Sequence, residues 1–232
     1  MNEEQKLTRQ SIRSFVVRSG RTTPSQKRSL ERFWPQYGIS YQTTPIAWEA
    51  QFGRPAPLWL EIGFGNGVQT ASLAAMRPEL NILGIEIHLP GVGHLLKLAA
   101  EQELNNIRLL RHDAVDVLND CVSDNSLDRV LLFFPDPWPK KRHHKRRIVQ
   151  AGFVNLVAQK LRPGGHFHLA TDWEPYAEWM LEALSANPDL SNTSASNDFV
   201  NPPDYRTQTK FEKRGRQKGH GVWDLLFKKT VV

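Results

Sequence analysis

The chain has 232 residues, 40% of them hydrophobic, with seven Trp and eleven Phe, enough to fill the core of one domain and too apolar for a chain that is disordered throughout. Thirty Lys and Arg against 24 Asp and Glu give a net charge of +6, and the single Cys121 excludes an intramolecular disulfide and a Cys-rich metal framework, as suits a reducing compartment. The longest apolar run, Val130 to Phe134, is far short of the roughly 20 residues that span a bilayer, and the first twenty residues hold no continuous apolar stretch, so secretion and membrane insertion are disfavoured and a cytoplasmic protein is expected.

Residues 1–57 are polar and broken by Pro24, Pro35, Pro45, Pro55 and Pro57. They read as a basic N-terminal extension, its first thirty or so residues mobile and the remainder irregular. Residues 58–232 read as the folded domain. Leu58 to Ile62 is a strand, GFGNG a turn, and VQTASLAAM a helix that stops before Pro78. Leu80 to Ile87 is the second strand, and His88 to Leu104 a helix with Pro90 near its first turn. Ile107 to Arg111 is a third strand. Arg129 to Phe134 is the fourth, a continuous apolar run of the kind that is buried on both faces. Arg147 to Leu161 reads as a helix, RPGG as a turn, His166 to Ala170 as a fifth strand and Trp173 to Ala186 as a helix. Residues 187–204 look like a loop, and Val222 to Lys228 like a last strand. A strand, turn and helix repeated in this way predict an α/β fold, a doubly wound, mostly parallel, Rossmann-like sheet with helices on both faces.

The charge is unevenly placed. Lys140 to Arg147 (KKRHHKRR) carries +6, residues 1–32 carry +5 and residues 206–229 carry +6, which leaves the rest of the chain at −11. An acidic body with three basic segments suits a polyanion held at chosen places, because Lys and Arg release counterions from phosphates. Solvated tails or a membrane surface are the blander readings of such runs.

Gly63, Gly65 and Gly67 follow a strand and open a helix, where glycines let the backbone turn sharply and approach a ligand. The spacing is one residue shorter than the dinucleotide fingerprint. Glu61 precedes it inside the strand, where a carboxylate repels a diphosphate and attracts a cationic amino-acid end. Glu86 closes the second strand, where an acid accepts ribose hydroxyls, Asp113 ends the third and Asp136 follows the fourth. Neighbouring strand ends converge on one crevice in such a sheet, so these four acids are expected to ring one pocket. Without a cationic phosphate clamp, that set describes S-adenosylmethionine better than NAD. An NAD oxidoreductase with a basic appendage and a non-catalytic RNA-binding protein are the alternatives.

Pro135-Asp136-Pro137-Trp138-Pro139 runs from the fourth strand directly into the basic octet, and its prolines stiffen the exit. Trp138 stacks on a base or packs on the domain surface. His143 and His144 lack acid or Cys partners nearby, and no metal site is expected.

LEIGFGNG at Leu60, IEIH at Ile85, PDPWPKKRHHKRR at Pro135, ATDW at Ala170 and TKFEKRG at Thr209, with GRTT at Gly20 and RFWPQYG at Arg32, resemble the bacterial tRNA (guanine-N7-)-methyltransferase family. The resemblance runs from about residue 20 to the end. It implies a class I methyltransferase, monomeric or a weak homodimer, that uses S-adenosylmethionine to methylate N7 of the guanine at position 46 in the variable loop of tRNA. It also implies roles. Glu61, Gly63, Gly65, Gly67, Glu86, Asp113 and Asp136 would bind the cofactor, with Asp136 also the catalytic residue. Lys140, Asp172, Thr209, Lys210, Phe211 and Glu212 would contact the guanosine, and Arg142, His143, His144, Lys145, Arg146 and Arg147 the RNA. Guanine N7 carries a free lone pair at neutral pH, so Asp136 is expected to orient and stabilise rather than accept a proton.

Overall fold

A computed structural model describes residues 22–207, 212 and 221–231. Its centre is one eight-stranded sheet in the order β1-β4-β3-β2-β5-β6-β8-β7. The strands are β1 (Gly38–Ile39), β2 (Leu58–Ile62), β3 (Asn81–Ile85), β4 (Ile107–Leu110), β5 (Leu127–Phe133), β6 (Leu161–Thr171), β7 (Leu190–Asn192) and β8 (Trp223–Lys229). The first six pair in parallel, and β8 joins β6 antiparallel with β7 outside it. The doubly wound, mostly parallel sheet expected from the sequence is the one observed.

Two-sided burial explains the apolar strands. Val130, Leu131 and Leu132 of β5 alternate faces, and all three are buried. Val130 and Leu132 join one core cluster with Leu60 and Phe167, whereas Leu131 joins a second with Ile82 and Leu96. Each large apolar side chain so buried contributes about 2 kcal/mol. Register then aligns the strand ends, because Ile62 lies beside both Ile85 and Leu132, and Ile85 beside Leu110. The residues that follow these positions therefore meet along one edge, at the reversal of strand order around β2.

The N-terminal segment is more ordered than its prolines suggest. Pro24–Tyr37 forms a 14-residue helix, α1, where an irregular extension is expected. Thr23 caps it: its hydroxyl accepts from the Gln26 amide at 3.2 Å while Gln26 Oε1 accepts from the Thr23 amide at 2.9 Å. Pro24 occupies the first turn, where a missing N–H costs nothing, so it starts a helix rather than breaking one. Ile39 and Ile46, with Trp48 and Phe52 of the short helix α2 (Trp48–Phe52), pack into the same core as β2 and β5. Residues 1–21 lie outside the described residues.

The helices α3 (Val68–Met76), α4 (Leu89–Glu101), α6 (Ala151–Lys160) and α7 (Glu174–Ser185) match expected helices, though α6 begins four residues later than its sequence signal. The helix α5 (Ala114–Asp120), capped by Asp113, has no counterpart among the expected elements. RPGG is not a free turn. Leu161 pairs with Leu127, the register shifts, and β6 continues through the glycines to Thr171. The expected loop at 187–204 contains β7 and a bridge from Val200 to Asp224. No helix among the described residues is long and apolar enough to cross a membrane.

Candidate active site

A crevice of about 190 Å³ opens along the aligned strand ends, with Gly63, Glu86, His112, Asp113, Phe134 and Asp136 on its walls. Its floor turns at the glycine loop between β2 and α3. Gly63 and Gly65 have φ of 69° and 58°, and a Cβ at either would meet open space, so the backbone there is bare toward a ligand. The loop is held from behind by α4. A Cβ on Gly91 would lie 1.9 Å from the Gly65 carbonyl oxygen, and His94 Nδ1 stands 2.6 Å from the Asn66 carbonyl oxygen. Gly91→Ala is therefore expected to displace the loop and to lower stability by about 3 kcal/mol, as an overpacked backbone contact does. Thermal unfolding of that variant tests this; a wild-type midpoint would refute the clamp.

The four acids differ in their surroundings. Glu61 is 3% exposed, and its Oε2 has no hydrogen-bond partner among the described residues. Burial pushes its carboxyl up to about 7, against a smaller downward pull from the Thr70 hydroxyl, which stands close without forming a well-aligned hydrogen bond. Glu61 lies inside β2, one residue before Ile62, which lines the crevice. Glu86 is engaged by backbone: Oε2 accepts from the Gly65 amide at 3.0 Å, and Oε1 from the amides of Ile87 at 2.7 Å and His88 at 3.0 Å. Asp113 caps α5 through the Val115 amide at 2.9 Å, with Ala114 and His112 beside it on the wall. The His112 ring stacks on Tyr41 at 3.8 Å, which ties the segment after β1 to this end of the crevice.

Asp136 is exposed at the mouth. Phe134 and Trp138, two residues to either side, have φ of 52° and 45°. Proline fixes its own φ near −65° and disfavours a helical residue before it, so in F-P-D-P-W-P the reversal falls on bulky residues that rarely adopt it. Backbone held in this way marks a position that the fold over-determines.

The basic octet does not present all of its charge. It forms a 3-10 turn over Lys141–Arg146. Lys140, Lys141, Arg142 and Lys145 are exposed. Arg146 lies 5.1 Å over the Trp138 ring, His143 meets the same ring edge-on at 5.9 Å, and His144 meets Trp179 at 5.9 Å. Desolvation first, then the cations around it, lower the pKa of His143 and favour the neutral ring. Arg147 must be removed from the RNA-facing set. It is 3% exposed, donates from Nε to the Pro137 carbonyl at 2.9 Å, and lies over the rings of Tyr176 and Trp179 at 4.7 and 5.1 Å. Trp138 packs on the domain surface, against these basic residues.

Asp172 is exposed just beyond β6, level with the mouth. Glu212 is buried, and Arg206 Nη2 and Nη1 donate to its Oε1 and Oε2 at 2.8 and 2.9 Å. Thr209, Lys210 and Phe211 lie outside the described residues. Gly91, His112, Phe134 and Arg206 carry no sequence motif that would have singled them out; Gly91 and Gly93 in PGVGH are the nearest thing to a signal, since a helix rarely keeps two glycines without a close approach.

Topology and a ligand crevice at the strand-order switch define the class I, Rossmann-like methyltransferases. Solved structures with this fold include the 16S rRNA methyltransferase KamB (TM-score 0.57, 15% identity, 82% of this chain and 96% of that one) and the aminoglycoside-resistance methyltransferase NpmB1 (TM-score 0.55, 16% identity, 82% and 95%). A family profile described as a putative methyltransferase matches residues 55–225. Proteins named tRNA (guanine-N(7)-)-methyltransferase are 56% identical in Yersinia enterocolitica (94% of this chain, 91% of the relative), 55% in Cupriavidus metallidurans (94% and 84%) and 52% in Neisseria meningitidis serogroup C (98% and 95%). The chain belongs to the tRNA (guanine-N7-)-methyltransferase family.

Proposed function

We propose that this chain transfers a methyl group from S-adenosylmethionine to N7 of guanine 46 in the variable loop of tRNA, in the cytoplasm, as a monomer or weak homodimer. The observation that carries the cofactor reading is Glu61, a buried carboxyl beside a bare glycine turn with one oxygen lacking a partner among the described residues. An ammonium supplies what that oxygen lacks, whereas a diphosphate at the same turn would be repelled. Glu86 has about one acceptor position left after three backbone amides, so it takes one ribose hydroxyl freely and a second by displacing an amide. Asp113 and Ala114 would border the base. When bound, the cofactor supplies an electrophilic methyl group.

The chain's own residues orient the acceptor. N7 needs no base to expose its lone pair, so the rate depends on in-line approach at near-attack distance. Asp172 accepts from guanine N1–H and the exocyclic amine, a pattern adenine does not offer. Asp136 faces the ring as it becomes cationic and stabilises that charge. The N7 edge is covered by tertiary contacts in folded tRNA, so the base must be exposed locally before it enters.

Lys140, Lys141, Arg142 and Lys145, all exposed, would meet phosphates next to Asp136. Replacing Lys141, Arg142 and Lys145 together by Ala is expected to weaken tRNA binding on the order of 100-fold and to reduce the salt slope by about two to three. Arg147→Ala should instead lower stability and leave that slope unchanged, as filter binding over a salt series will read. The function itself is tested by incubating the chain with labelled S-adenosylmethionine and tRNA that lacks the modification, then mapping the product by N7-specific strand scission. Absence of label would refute it, and label at another guanine would refute position 46.

A further inference from the structure

The helix α4 stands between the glycine loop and the N-terminal helix α1, and it meets each through a different face. Toward the loop it touches three successive residues. Gly91 lies against the Gly65 carbonyl oxygen, His94 Nδ1 stands 2.6 Å from the Asn66 carbonyl oxygen, and a Cβ on Gly67 would come within 2.5 Å of the Leu95 Cβ. Toward α1 it offers Pro90, whose carbonyl accepts from Gln26 Nε2 at 3.0 Å, and Gly93, where a Cβ would lie 2.8 Å from the Gln26 carbonyl oxygen. Positions two apart point about 200° apart around a helix axis, so the two glycines of P-G-V-G-H serve opposite neighbours. Glycine weakens a helix relative to alanine, and both of these stand where another backbone comes close.

Gln26, half-buried between the exposed Ser25 and Lys27, joins these contacts into one unit. Its Oε1 accepts from the Thr23 amide at 2.9 Å and closes the cap of α1 while its Nε2 reaches Pro90, and the two partners fix which end of the amide is which. The Pro90–Gly91 peptide is then held on both sides, since the Gly91 amide donates to the His88 carbonyl at 3.1 Å. Gly91 in turn limits the Gly65 carbonyl, and the Gly65 amide donates to Glu86 Oε2 at 3.0 Å, so both polar groups of that glycine are set. A glycine with open space beyond its Cα has no side chain to hold it in place. Gly65 is held instead by Glu86 and the first turn of α4, and that turn is held from outside by Gln26.

We propose that Gln26 is a positioning residue for the methyl donor: from α1 it fixes the first turn of α4, and thereby the place of the Gly65 backbone that faces S-adenosylmethionine. The inference rests on the cofactor reading proposed above. Two variants separate this role from helix capping. Gln26→Glu keeps an acceptor for the Thr23 amide, as in the usual capping box, but sets a carboxylate oxygen against the Pro90 carbonyl. Thr23→Ala does the reverse, removing the hydroxyl that accepts from the Gln26 amide and leaving the Pro90 contact. The full chain is titrated with S-adenosylmethionine by calorimetry, and hydrogen exchange of the free protein reads the Gly65 amide. For Gln26→Glu the Kd is expected to rise on the order of 10-fold, with faster exchange at Gly65, because a loop that is no longer preorganised must be ordered on binding. Thr23→Ala should lower the thermal midpoint yet bind the cofactor within about twofold of wild type. A folded Gln26→Glu variant with Kd within about twofold of wild type, or with unchanged exchange at Gly65, overturns the proposal. An equal loss of affinity in Thr23→Ala also overturns it, since the effect would then come from the stability of α1 alone. Should Gln26→Glu not fold, Gln26→Met, neutral and of similar length, is judged by the same Kd criterion. A wild-type chain that binds no S-adenosylmethionine would overturn the cofactor reading and this inference with it, whereas a binding wild type with indifferent Gln26 variants overturns the inference alone.

Discussion

Glu61→Gln is expected to bind S-adenosylmethionine on the order of 100-fold more weakly and yet to make the free protein more stable above pH 7. Both effects come from one desolvated carboxyl. Burial raises it from an ordinary 4.5 to about 7, so between those values the folded chain keeps a proton that the unfolded chain has released. The folded state is then penalised as pH rises through that window, and the penalty is fully present above 7. Each tenfold difference in proton affinity between the folded and unfolded chain is worth about 1.4 kcal/mol, so the full penalty is about 3 kcal/mol. A glutamine, neutral throughout, escapes it, less whatever its amide loses by having no partner for one end. Cofactor binding has the opposite dependence. An ammonium recovers the cost of ionising Glu61, so wild-type affinity weakens as pH falls below about 7, and the glutamine variant loses that dependence. Calorimetric titration and thermal unfolding at pH 6 and pH 8.5 read both halves. Equal affinities for the two proteins at pH 8.5 would remove Glu61 from the cofactor site.

Asp136→Asn is expected to lower the single-turnover rate of methylation on the order of 100-fold, the usual consequence of removing one preorganised electrostatic partner. Cofactor affinity should fall only a few fold, because Asp136 stands exposed at the mouth while Glu61 and Glu86 lie deeper. Proton abstraction predicts a different pattern. If the wild-type rate follows one carboxylate titration, and the Asn variant abolishes that dependence without changing cofactor affinity, Asp136 acts as a base. Electrostatic stabilisation predicts that the residual activity of the variant is nearly independent of pH across the same range.

The proposed site sets stability against function in one place. Glu61 lowers the stability of the free chain at neutral pH, and the left-handed Phe134 and Trp138 add backbone strain around Asp136. Both features sit where a ligand or substrate is proposed to meet the chain.

Much of this protein is determined by residues close together in sequence. Val130 to Phe134 reads as a strand buried on both faces, and G-F-G-N-G after LWLEI as a turn into a helix, because hydrophobic patterning and glycine conformation are local properties. Once the strands are parallel, the acids that follow β3, β4 and β5 must arrive at one edge, and that too was legible. Local reading failed where a residue has two uses. Pro24 looks like a breaker until Thr23 and Gln26 close a capping box around it, and α1 then docks on α4 through Gln26 Nε2 and the Pro90 carbonyl at 3.0 Å. In KKRHHKRR every cation looks alike, yet Arg147 turns inward onto Tyr176 and Trp179, which arrive from α7 about thirty residues later. Glu212 looks like any other acid of its segment, yet the Arg206 guanidinium donates to both its oxygens while also holding Asp224, which in turn meets His168 from β6. Charge says how strongly a group seeks a partner. Whether that partner is a phosphate, a guanine edge or another side chain is decided only when distant segments of the fold bring one within 3 Å and exclude water from the rest.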